Sequence, residues 1–350
     1  MSTVLRWLDQ RTGWSGPIRT IFRYPVPAHA HHNPLFTMGS LLLVLFGVQA
    51  FTGALMAFYY DPSPEGAYAS VDYMQFILPF GWLVRGVHHW AASAMVVIVV
   101  LHLLRTYLYS AYKKPRELTW LVGVVLLLIT VSFGFTGYLL PWDQKGFWAT
   151  QVGTEIAGSV PAIGSALRDL MRGGADMGIA TLTRFYSVHM LLLPGAFVVL
   201  VLAHLALMRR HGLAPALVRK GEGQEKTVPF YPTHLAIEAG VALVVIVGLV
   251  VAANLVPAPL DLRADPTDTS FVPRPDWYFL FYFQLLTYFP GGLEAIGTVA
   301  IPLFFFGSLV LLPFIDRGAE RRPWRKPVTS VAFVLYAVAV ILLTIRGASG

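Results

Sequence analysis

Seven stretches of this chain run almost wholly in apolar residues: about 35–60, 83–111, 118–140, 181–208, 234–255, 293–315 and 328–346. A helix rising about 1.5 Å per residue needs about 20 such residues to cross a hydrocarbon core of ~30 Å. The pattern therefore predicts an all-α polytopic membrane protein with seven crossing helices, labelled spans A to G in chain order. Pro115, Pro232 and Pro327 each stand just before a span, where a missing N–H is tolerated. Long polar loops join C to D (about 141–180) and E to F (about 256–292). In the first, Val160, Ile163, Leu167, Leu170 and Met171 share one face of 159–174, which predicts a short amphipathic helix on the membrane surface. The N-terminal VLRWLDQ reads as a second one. Residues 209–230 are charged and carry glycine and proline. They divide a four-span half, 1–215, from a three-span half, 216–350.

Composition agrees with this reading. The 350 residues are 56% hydrophobic and 13% charged, about half the charged share usual in soluble proteins. The net charge of +7 does not indicate nucleic acid, because the basic residues sit in short loops between spans. Of the 26 lysines and arginines, 18 fall at the N-terminus, at the end of B, or in the loops after B, D and F. The positive-inside rule then puts the N-terminus in the cytoplasm and the C-terminus outside, in a bacterial cytoplasmic membrane. No cleavable signal peptide is expected, since 1–35 has no apolar core followed by a small-residue cleavage site. The chain has no cysteine, so it holds no disulfide, no cysteine-ligated iron–sulfur cluster and no thioether-attached haem.

Histidine inside a span is costly and calls for a function. Span B contains His88, His89 and His102. At about 100° per residue, His88 and His102 point within roughly 40° of each other, whereas His89 lies on the opposite face. Their separation along the axis is about 21 Å, too far for one shared metal. Span D repeats the arrangement with His189 and His204. B and D run in the same direction, so His88 and His189 share the outer level and His102 and His204 the inner one. Two imidazoles at each of two levels suggest two bis-histidine haems b stacked in the A–D four-helix bundle. Gly39 and Gly53 on A, and Gly123 and Gly137 on C, repeat the 14-residue spacing of His88 and His102. Without Cβ atoms, both helices can come close to the haem planes. Two axial imidazoles leave iron no open position, so the chemistry indicated is electron transfer. Arg85 and Arg184 at the outer level, and Arg105 at the inner, stand either as propionate partners or as arginines snorkelling to the interface.

The motifs RGVHHW, LHLLR, KKPRELTW, GYLLPWDQKGFWA, TLTRFYSVH and PDWY resemble those of cytochrome b of the quinol–cytochrome c (or plastocyanin) oxidoreductases, over nearly the whole chain. The first half resembles most the chloroplast and cyanobacterial branch, whose cytochrome b is split in two; here the halves are fused. The resemblance implies that His88 and His189 hold a low-potential haem beside an outer quinol-oxidising site. His102 and His204 would hold a high-potential haem beside an inner quinone-reducing site. It also implies a Rieske-type iron–sulfur protein and a c-type cytochrome as partners, and a homodimer. Asp276 of PDWY, with Tyr138 and Tyr278, would form the outer quinol pocket, the carboxylate accepting a proton. Arg209 and Glu238 match positions near the inner site, and either reads equally as a topology charge; His211 and Lys226 are further candidate proton donors. The split branch attaches an extra haem through a cysteine where Thr37 stands, so that haem is not expected here. PDWY departs from the usual PEWY, and Ala149 stands where mitochondrial relatives carry glycine; the quinone type stays open. A solute transporter would show intramembrane carboxylates and an inverted repeat; such carboxylates are nearly absent and no repeat is found. A haem anchor serving a soluble dehydrogenase would not need the three-span second half.

Overall fold

A computed structural model describes residues 3–12, 23–28, 33–214, 227–268, 270–272 and 274–349. Among them are seven helices long and apolar enough to cross a membrane: Met38–Ala57, Gly81–Leu108, Glu117–Tyr138, Ile179–His211, Phe230–Leu255, Gly291–Ile315 and Pro327–Ser349. They correspond in order to spans A to G. The 215/216 division between the halves lies outside the described residues, as do Arg19, Arg219, Lys220 and Lys226.

Buried Leu41, Leu45, Ala91, Met95, Phe197 and Leu249 form an apolar core contributed by A, B, D and E. The Phe46 and Phe197 rings stack within it at 4.4 Å. By register this layer lies midway along the bundle, between the two histidine levels. Each end is closed by polar ties. At one end, Lys113 of the B–C loop donates to Asp316 of the F–G loop at 2.6 Å, Lys326 at 3.1 Å and Tyr112 at 2.5 Å. Both lysines and the aspartate are largely buried. At the other end, the Asp143 carboxylate caps the helix Gln144–Gly158 by accepting from the Gly146 N–H, and also accepts from the Asp261 N–H. That tie fastens the E–F loop over the C–D loop.

Periodicity did not reveal several shorter elements. Helices Ala67–Phe76, Gln144–Gly158 and Leu280–Leu286 lie in the loops, where composition is mixed. Two three-residue strands, Pro25–Pro27 and Thr227–Pro229, pair antiparallel and join the N-terminal segment to the start of span E. The surface helix expected over 159–174 covers only Gly164–Arg172. Pro161 and Ala162, the latter at φ 68°, precede it and delay its start. The N-terminal helix Thr3–Thr12 forms as expected.

Span D is not a uniform helix. Over Val188–Leu192 the backbone opens into a π turn, with the Leu193 N–H bonded to the Val188 carbonyl five residues back. A π turn absorbs one extra residue. The 15-residue spacing from His189 to His204 therefore acts as the 14-residue spacing of span B.

Candidate haem and quinol site

The four histidines meet the four glycines one to one. A Cβ built on Gly53 would lie 3.3 Å from the His88 ring, on Gly39 3.5 Å from His102, on Gly123 3.4 Å from His204, and on Gly137 2.6 Å from His189. Thus A backs the ligand rings of B, and C backs those of D. What each glycine admits is the edge of an imidazole, a nearer neighbour than the haem plane expected from spacing. At Gly137 a methyl group would overlap the ring; at Gly39 it would make ordinary contact.

The His88 and His189 ring centroids are 6.5 Å apart. An ion bonded to both rings at about 2 Å would set them roughly 6 Å apart. Nδ1 of His88 lies 2.8 Å from the Thr52 hydroxyl, and Nδ1 of His189 lies 3.1 Å from the Thr136 hydroxyl. Both rings are thus held from behind by the flanking helices. At the second level Arg105 is buried and its guanidinium lies 3.7 Å from the centre of the Phe36 ring. Its Nε and Nη2 have no hydrogen-bond partner among the described residues. A buried cation with free donors suits an anionic group such as a propionate. The ring spacing at the first level fits a bis-imidazole haem, and the unpaired arginine at the second fits a haem propionate.

The other two candidate propionate partners are engaged elsewhere in this structure. Arg85 donates to Gln75 Oε1 at 2.7 Å, to the Ala258 carbonyl at 2.9 Å and to the Pro259 carbonyl. Arg184 is exposed and donates to the Leu170 carbonyl. Thr37 is buried, and its hydroxyl donates to the Pro34 carbonyl at 2.8 Å.

The PDWY residues gather beside the His88–His189 end of the bundle. Asp276 Oδ1 accepts from Lys145 Nζ at 2.8 Å, and Oδ2 lies 3.4 Å from the Tyr278 hydroxyl. The Tyr138 hydroxyl lies 3.4 Å from the Arg274 carbonyl, and Lys145 Nζ is 5.4 Å from the Tyr138 ring centre. Burial first, then the Asp276 charge, pushes the Tyr278 phenol above its ordinary value, so it remains a neutral donor. Lys145 was missed as a site residue; its only signal was its place inside LLPWDQKGFWA.

The candidates for the opposite end are not brought together. Arg209 is exposed at the end of span D, and Glu238 pairs with His234 Nε2 at 3.4 Å. His211 Nδ1 is buried without a hydrogen-bond partner among the described residues, and Lys226 lies outside them.

Residues 23–212 match the family described as Cytochrome b/b6/petB, and residues 263–350 the one described as Cytochrome b(C-terminal)/b6/petD. The chain is 37% identical over 348 residues to a "Cytochrome bc complex cytochrome b subunit" of Chlorobaculum thiosulfatiphilum, covering 98% of this chain and 80% of that one. It is 45% identical over 217 residues to a "Cytochrome b6" of Synechococcus elongatus, covering 62% of this chain and all of that one. A chain of the solved "Hyperthermophilic respiratory Complex III" superposes with a TM-score of 0.86 at 31% identity, over 98% of this chain and 91% of its own.

Proposed function

The chain belongs to the cytochrome b/b6 family, and from that premise we propose that it is the dihaem cytochrome b subunit of a quinol:cytochrome c oxidoreductase. In this reading it oxidises quinol at the outer face and reduces quinone at the inner face, coupled to proton translocation in a Q cycle. The observation that carries it is the one-to-one match of four span histidines with four glycines at two levels. His88 and His189 hold the outer, low-potential haem b; His102 and His204 hold the inner, high-potential one. Arg105, with unpaired donors, would hold a propionate of the inner one. When bound, the haems supply a one-electron relay between the two levels.

Oxidising a quinol releases two protons and two electrons. Asp276 accepts one proton at a carboxylate oxygen, and Tyr278 and Tyr138 line the pocket for the flat head group. Lys145 must give up its hold on Oδ1, or share it, when the proton arrives. The outer loops, closed by the Asp143 cap and the Arg85 ties, keep this pocket over the His88–His189 level. At the inner quinone site Arg209 and Glu238 would act separately, Arg209 from the exposed end of span D and Glu238 from its pair with His234. Membership of a bc complex implies a Rieske-type iron–sulfur protein as first electron acceptor, a c-type cytochrome beyond it, and a homodimer in the bilayer. The N-terminus lies in the cytoplasm, and the two halves meet near 215/216.

Asp276→Asn in the assembled complex tests the site. Quinol oxidation should fall by about 10²-fold or more while both b-type spectra persist, because general-base assistance is of that size. Unchanged turnover would exclude Asp276 as the proton acceptor.

A further inference from the structure

The two histidine levels differ in one chemical respect. The residue just before each glycine is threonine at the outer level, Thr52 and Thr136, and apolar at the inner level, Met38 and Val122. Both threonine side chains are buried and reach Nδ1 of their histidines at 2.8 and 3.1 Å. Each hydroxyl also faces the carbonyl four residues back in its own helix: Thr52 to Val48 at 2.7 Å, Thr136 to Ser132 at 2.8 Å. A hydroxyl has one proton, and the helix carbonyl, which can only accept, takes it. The oxygen is left to accept from Nδ1–H. That fixes the proton of His88 and His189 on Nδ1 and frees the Nε2 lone pair for a metal. The inner histidines lack this contact. Nδ1 of His102 and of His204 has no hydrogen-bond partner among the described residues.

We propose that Thr52 and Thr136 are positioning residues that set the outer haem below the inner one in potential. The proposal rests on the two-haem reading above. An acceptor on Nδ1–H makes the imidazole a more basic ligand, and a more basic ligand favours the more highly charged, oxidised iron. Two such contacts at one level and none at the other tilt the relay from outer to inner. That is the direction in which an electron from quinol must travel to reach a quinone on the other side.

The test is a redox titration of the b-type absorbance in the purified complex. In Thr52→Val/Thr136→Val the lower wave should move up and narrow the gap, with the upper wave unmoved. Thr52→Ser/Thr136→Ser, which keeps both hydroxyls, should restore the wild-type gap. Val122→Thr supplies the converse by adding a hydroxyl before Gly123, and the upper wave should move down. An unchanged gap in the double valine variant with both haems bound would overturn the proposal. If that variant loses haem, an unmoved upper wave in Val122→Thr overturns it instead. A wild-type protein without two waves would refute the two-haem reading itself, whereas two waves insensitive to these hydroxyls would refute only this inference.

Discussion

Gly137 and Gly39 form a graded pair on which the packing account can be judged. Replacing either with alanine removes the backbone freedom of glycine within a helix, which by itself stabilises by about 0.5–1 kcal/mol. The two positions then diverge. The new methyl at Gly39 would stand 3.5 Å from His102 Cε1, ordinary contact, so Gly39→Ala should be neutral or slightly stabilising. At Gly137 it would stand 2.6 Å from His189 Cε1 and 3.2 Å from Nδ1. Carbon atoms are comfortable at about 3.5–4.0 Å, so ring and helix must separate by roughly 1 Å. The ring cannot retreat freely, because Phe133 packs edge-on against it and Thr136 holds Nδ1. Overpacking of this kind costs about 1–3 kcal/mol, more than the helix gain, and it falls on a ligand. Dithionite-reduced spectra with a redox titration, set beside thermal unfolding of the complex, read both effects. Gly137→Ala should lose or shift the lower-potential wave and leave the other. Gly39→Ala should keep both. Equal behaviour of the two variants would mean that clearance behind the glycine does not set haem retention.

Two further predictions concern charged groups away from the histidines. Lys145→Met removes a partly exposed ion pair worth about 0.2–1 kcal/mol, so the thermal midpoint should barely move while quinol turnover changes severalfold; unchanged turnover would remove Lys145 from the site. At Asp316, burial alone would raise the carboxyl, but hydrogen bonds from Lys113, Tyr112 and Lys326 outweigh it and hold the group below its ordinary 3.8. A carboxyl held low adds stability that is present above its unfolded value and lost as pH falls through its folded one. Asp316→Asn should therefore lower the unfolding midpoint near neutral pH and weaken its fall in acid; an unshifted midpoint would mean that this tie does not hold the two halves together.

The spans were legible because a bilayer demands long apolar runs, and the histidines because their spacing survives as a helix face. Span D shows the limit of that reasoning. Its 15-residue spacing leaves the two histidines about 60° apart on an ideal helix, and the π turn at Val188–Leu192 that brings them into register has no pattern of its own. The glycines were legible as a matched set, though not that each faces an imidazole edge. Lys145 and the two threonines were invisible as partners. Lys145 meets Asp276 across 131 residues and Thr136 meets His189 across 53, separations that no local period records. Arg85 was read from its level alone; its contacts with the carbonyls of residues 258 and 259 depend on how the E–F loop folds back.

If two haems stand one above the other on histidine pairs, redox titration of the purified complex will separate them, with wild type beside His88→Leu and His102→Leu. The wild type should show two low-spin b-type waves, with the lower one lost in His88→Leu and the upper one in His102→Leu. A single wave, none, or the same wave lost in both variants would contradict that arrangement.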